Sequence, residues 1–272
     1  MSSNIEAIRR MRINLMLSYY PCLRKIIHKD SLLYKTTRDQ YRGNTPEGRR
    51  ASTLGGILNE LYDYRMWIEM MDNLNKWICQ YPEYENNKSF RENIKTDILN
   101  FYSEIEIFHR LKEKGINPKL NPKINSSSRN NLDFAIHLGS DQFFIEVFTP
   151  PISEDLDEKE EEGYVCFGDM ERGIGSKNKE PYSRVETLIL EEIAKHHIDL
   201  SSESVDAPII LVMNNSYAKE EVPGIQNPFG SLELPAFICG VLFYDQNGNS
   251  NFFGNPKSEL DEAVPQFFNS LF

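Results

Sequence analysis

Apolar residues recur at helical spacing through the first third of the chain. Ile5, Ile8, Met11 and Leu15 fall three or four apart, with Met16 beside the last, which predicts a helix over 4–30 that Pro21 breaks or kinks. A polar, turn-rich stretch at 36–50 reads as a loop. Ser52 then stands where a helix cap belongs, ahead of a stripe formed by Leu54, Ile57, Leu58, Leu61, Tyr64, Ile68 and Met71. This second helical block runs over 52–80 and ends at Tyr81-Pro82, and a further helix is expected to start near Ser89.

The texture changes after residue 95. Residues 96–114 keep helical spacing, and Gly115 supplies a C-terminal stop. Short runs at 116–123, 131–137 and 142–148 have the period of strands. Residues 183–197 form an amphipathic helix, with Ser183 and Glu186 spaced as a capping box. Residues 207–215 are apolar until Asn214-Asn215, the pattern of a buried central strand. Strands are also expected at 236–245 and 251–254, and a short helix closes the chain. The fold class that follows is α/β (α+β): a helical N-terminal region, 1–95, followed over 96–272 by a mixed β-sheet core flanked by helices.

Charge adds an asymmetry. The chain has 272 residues and a formal net charge of −11. Residues 1–60 hold 11 Lys/Arg against 5 Asp/Glu, whereas the remainder holds 19 against 36. An acidic body argues against a general nucleic-acid coat protein, and the basic start offers Arg9, Arg10, Arg12, Arg49 and Arg50 as contacts to a phosphate backbone. Seven acids crowd residues 154–162, a solvated loop. No run of about 18 apolar residues predicts a membrane span, and no apolar stretch near the start predicts a signal peptide. Cys22, Cys79, Cys166 and Cys239 show no paired spacing, so they are expected as buried free thiols in a reducing cytoplasm.

The chemistry concentrates in one hairpin. Leu132, Phe134 and Ile136 alternate with Asp133, Ala135 and His137; Phe143, Ile145 and Val147 alternate with Phe144, Glu146 and Phe148. A link over Leu138-Gly139-Ser140-Asp141 pairs His137 with Gln142 and therefore Asp133 with Glu146. Directly opposed residues have Cβ atoms about 4.5–5.5 Å apart. Two carboxylates at that separation in an apolar sheet repel and are costly to bury, and a divalent cation between them removes the penalty. Glu104 lies three residues after Phe101 and four before Phe108, at the edge of the buried face of its helix, and is expected to reach the sheet. Glu106 points toward solvent with Arg110 and Glu113.

A helix carrying Ser103-Glu104, a Gly115 stop, Asn131-Leu132-Asp133, and Glu146-Val147-Phe148 on the next strand together resemble the PD-(D/E)XK, or restriction-endonuclease-like, nucleases. The resemblance covers residues 98–215 and does not extend to 1–95. It implies Asp133 and Glu146 as ligands of Mg2+ or Mn2+, Glu104 as an auxiliary ligand, and metal-dependent hydrolysis of phosphodiester bonds in DNA or RNA. The chain departs from the pattern at Phe148, where the family carries the catalytic lysine. Lys177, Lys179 or Arg184 could bring a substitute cation. Two functions stand side by side: a metal-dependent endonuclease, and a nuclease-fold protein that has lost cutting and serves as a binding or assembly module. A homodimer built on the helical half is a further expectation.

Overall fold

A computed structural model of the chain describes residues 2–27, 31–34, 54–63, 67–95, 97–124, 131–150, 186–187, 189–190, 193, 205–216, 222–230, 232 and 234–272. The chain divides into two compact units, one formed mainly by residues Met1–His109 and the other beginning at Arg110.

The first unit is helical. Its elements are α1 (Ser2–Ser18), α2 (Pro21–Ile26), α3 (Ser31–Tyr34), α4 (Leu54–Asp63), α5 (Ile68–Gln80), α6 (Pro82–Asn86), α7 (Lys88–Asn93) and most of α8 (Ile98–Glu113). Proline separates α1 from α2, as its fixed φ and missing N–H dictate at a helix start. α1 is apolar on two faces. Ile13, Leu17 and Tyr20 are buried, while Ile8, Met11, Leu15 and Tyr19 form an exposed stripe on the other side. Asn87 caps α7 by accepting the Phe90 N–H at 3.1 Å, so this helix opens at Lys88 and a separate turn of helix, α6, precedes it.

Aromatic rings knit the unit together. Tyr84 meets Phe90 and Phe108 edge-on at centroid distances of 4.8 and 5.1 Å, and Phe90 meets Phe101 at 5.5 Å. The Tyr81 hydroxyl lies 2.6 Å from His109 Nδ1, and Trp77 packs on the same imidazole at 4.9 Å.

The cysteine expectation is corrected here. Cys22 at the start of α2 and Cys79 near the end of α5 form a disulfide, with Cα atoms 5.4 Å apart. Two helices separated by 57 residues in sequence pack side by side and bring the sulfurs into reach, which no spacing rule could signal. Cys239 is a buried free thiol, and Cys166 lies outside the described residues.

The second unit is a mixed sheet of six strands in the order β1 (Lys119–Leu120), β2 (Phe134–Leu138), β3 (Asp141–Phe148), β4 (Ile209–Asn214), β5 (Ile238–Tyr244), β6 (Ser250–Gly254). β3, β4 and β5 run parallel; the outer neighbours pair antiparallel. α8 ends as the pattern requires. Gly115 takes φ +79°, its N–H donates to the Lys112 carbonyl, and the Ile116 N–H donates to the Leu111 carbonyl.

One face of the sheet carries Ala135, Phe144, Phe148, Leu211, Met213, Val241 and Phe243. It shares a core with Ile189, Leu190 and Ile193 from the crossover between β3 and β4, and with Val222, Leu232 and Leu234 from the next crossover. At the far edge, α9 (Ala263–Asn269) packs on β6, stacking Phe268 on Phe252 at 5.6 Å. The Asn269 side chain accepts the Phe252 N–H at 2.9 Å, which occupies part of an otherwise unpaired strand edge. Arg110 donates to the Leu271 carbonyl at 3.1 Å and lies over the Phe272 ring, whose other contact is Tyr244 at 4.2 Å.

Candidate functional site

The hairpin sets the geometry. Gly139 takes φ +63° in a two-residue turn, Leu138 pairs with Asp141, His137 with Gln142 and Phe134 with Ile145. Continued by one residue, this register opposes Asp133 and Glu146. β2 itself begins only at Phe134, because the chain bends at Asp133. Beyond that point the amides of β3 facing β2 have no strand to donate to, and side chains take them.

The result is a crossed pair of bonds. The Val147 N–H donates to Asp133 Oδ2 at 2.8 Å, and the Asp133 N–H donates to Glu146 Oε2 at 3.2 Å. Each carboxylate is thus fixed by the backbone of the strand carrying the other. Each of these bonds occupies one acceptor position of its carboxylate. Behind Asp133, its carbonyl accepts the N–H of Asn121, a residue at φ +52°, so the β1 side also holds the bend in place.

Glu146 is 4% exposed and stands between Phe144 and Phe148 on the face that enters the main core; its neighbour on β4 is Leu211. Asp133 is half-buried. The pair therefore has a dry partner and a wetter one. Phe148, two residues after Glu146 on the same face of the strand, is 3% exposed within the core, so nothing at that position can carry a positive charge.

Glu104 lies in the helical unit, on α8, at 6% exposure beside the buried Ser103, whose hydroxyl donates to the Leu99 carbonyl. Among the described residues no group of three or more His, Cys, Asp or Glu side chains is placed to hold a metal ion. What the structure brings together is the Asp133–Glu146 pair. Lys177, Lys179 and Arg184 lie outside the described residues, as do Arg49 and Arg50. Of the remaining basic candidates, Arg9 is buried at 5% exposure, Arg10 pairs with Glu6 at 2.8 Å, and Arg12 is half-buried.

Three buried polar residues escaped the sequence pattern. Glu186, which reads as half of a capping box, is only 9% exposed and lies on the same helical stripe as Leu190 and Ile193. Asn214 and Asn215 are buried at the carboxyl end of β4, the end of a parallel strand where α/β sheets place ligands. A polar residue at helical spacing with core residues was the available signal for Glu186, and the Asn-Asn ending of an apolar run was the signal for the other two.

A cleft of about 680 Å3 opens elsewhere, at the amino ends of β4 and β5, lined by Asp141, Asp206, Phe237, Lys257 and Asp261 among others. Neither Asp133 nor Glu146 lines it. The pair and this cleft are therefore at different ends of the sheet.

No family model matches the chain, and no curated protein matches it. Among solved structures it is similar to a CdiA-CT/CdiI toxin and immunity complex from Burkholderia pseudomallei, with 15% identity and a TM-score of 0.34 over 58% of this chain and 86% of that one. No helix among the described residues is long and apolar enough to cross a membrane.

Proposed function

We propose that the second unit uses Asp133 and Glu146 to hold a divalent cation, Mg2+ or Mn2+, and hydrolyses phosphodiester bonds of DNA or RNA in the manner of the PD-(D/E)XK nucleases. The observation that carries this reading is the crossed hydrogen bonding of the two carboxylates. Opposed acids in a largely apolar sheet repel, and here the backbone positions them side by side. Two carboxylates are the oxygen-rich donors that a hard cation takes, with water and substrate phosphate completing the shell. Bound there, such a cation would polarise a phosphate oxygen and supply a nucleophilic water at neutral pH.

The residues have separable roles in this proposal. Glu146 is the rigid ligand, because burial and the Asp133 amide fix it. Asp133, half-buried, is the wetter ligand of the two. Lys177 or Lys179 provides the charge that Phe148 cannot.

The test is cleavage of single- and double-stranded DNA and RNA by the purified full chain with Mg2+ or Mn2+. Cleavage is expected to need the metal and to fall to background in Glu146→Gln and in Asp133→Asn. Absence of cleavage of every nucleic acid under both metals overturns the enzymatic reading.

A second reading has its own observation. Phe148 is buried in the core at the lysine position, which favours a module that binds without cutting. It predicts retained nucleic-acid or protein binding with no cleavage, and binding insensitive to Lys177→Ala and Lys179→Ala.

A further inference from the structure

The Cys22–Cys79 disulfide is exposed on one side and backed up on the other. Cys79 is exposed on the last turn of α5, whereas Cys22 is half-buried at the start of α2. One turn earlier on α5, the Asn75 side-chain oxygen accepts the N–H groups of both Cys22 and Leu23, at 3.0 and 3.2 Å. Leu23 and Ile26 add an apolar anchor, at 0% and 3% exposure. The start of α2 is therefore held to α5 three ways, by a covalent bond, by a polar bracket and by packing, and only the first is open to chemistry from solution.

The surroundings favour exchange. Arg24 and Lys25 lie two and three residues after Cys22, Lys76 lies three before Cys79, and all three are exposed. Cations near a disulfide raise the local concentration of anionic thiolates and ease departure of the leaving sulfur. The contrast within the chain is Cys239, 1% exposed on β5, whose thiol burial pushes up to about 12. One thiol of this chain is closed to reagents in the folded state and one disulfide is open to them.

We propose that Cys22–Cys79 is a reversible thiol-exchange site for low-molecular-weight thiols of the glutathione type, with Cys79 as the sulfur attacked. A thiolate attacks Cys79 Sγ, a mixed disulfide forms, and Cys22 leaves as thiolate with the bonding pair. A second thiolate attacks the small-molecule sulfur of the mixed disulfide and releases Cys79. Two electrons and two protons pass to the protein, and the small thiol leaves as its disulfide. Asn75 and the buried Leu23 keep α2 docked through both steps, so the first unit cycles without unfolding. This proposal is independent of the carboxylate pair and of any nuclease activity.

The test is equilibration of the folded full chain in glutathione buffers of graded potential, followed by acid quench, maleimide labelling and peptide mapping. Cys22 and Cys79 are expected to become labelled together, while Cys239 stays unlabelled. The emission of Trp67 and Trp77, the chain's two tryptophans, both buried in the helical unit, is expected to keep its folded position throughout. In single variants, Cys79 of Cys22→Ser should take up glutathione several-fold more readily than Cys22 of Cys79→Ser. Three results each overturn the proposal: reduction that needs denaturant, reduction accompanied by an unfolded tryptophan emission, or cysteines fully labelled in protein that has met no thiol.

Discussion

The two units solve the same problem with different materials. A helix spends its amides on its own carbonyls and has donors to give only at its first turn. In the helical unit the backbone therefore helps side chains at ends, as where Asn75 receives the first amides of α2, and ring contacts and a disulfide supply the rest. A sheet offers donors along its length wherever a neighbouring strand stops short. Because β2 begins at Phe134, two residues short of the position opposite Val147, β3 has an amide to give there, and a carboxylate receives it in the interior. In the sheet a strand amide stations a charge at a chosen point, whereas in the helical unit the Asn75 side chain is fastened by the first turn of another helix.

Deleting a core ring tests whether the units differ in their cores as well. Phe108→Ala and Phe243→Ala, both at fully buried sites, are each expected to cost about 3–5 kcal/mol, read by urea unfolding. A loss under about 1 kcal/mol in either would break the idea that both rest first on packing. Next in size is the covalent tie, which has no counterpart among the described residues of the sheet unit. Cys79→Ser is expected to cost about 2–4 kcal/mol by freeing the unfolded chain, followed through tryptophan emission.

The stationed charge makes the sharper distinction. A divalent cation at 100 times its dissociation constant should stabilise the wild type by about 2.7 kcal/mol. Thermal unfolding of Glu146→Gln should not respond to the ion, and an equal response in the variant would remove Glu146 from the site. Smaller still, Asn75→Ala should cost about 1 kcal/mol as a lost cap. Asn269→Ala should release the Phe252 amide to faster hydrogen exchange at a cost of about 1 kcal/mol. Cys239 adds a pH signature. Burial keeps its thiol protonated in the folded chain up to about 12, against 9.0 for an ordinary thiol. The unfolded chain thus binds fewer protons between those values, and stability should fall as pH rises from about 9 to about 12.

Much of the sheet could be read in advance. Strict alternation with a glycine turn fixed the hairpin register, and the apolar run before Asn214 marked a central strand. The expected strand at 116–123 shrank to Lys119–Leu120, since Pro118 and Pro122 flank it and neither can donate to a ladder. The helical half was legible as helices but not as an arrangement. Which cysteines meet depends on packing between elements far apart in sequence, and so does the burial of Arg9 and Glu186. Local pattern carries none of that information.

The crossed hydrogen bonds have a consequence for the order of assembly. Asp133 and Glu146 are separated by 13 residues, whereas Phe148 meets Met213 across 65. Closing the longer loop costs about 1.4 kcal/mol more in chain entropy, from the logarithmic dependence on loop length. The hairpin is therefore expected to form before the parallel pairing. Like charges are brought face to face before β4 arrives to bury them, at a stage when water and dissolved ions still reach both.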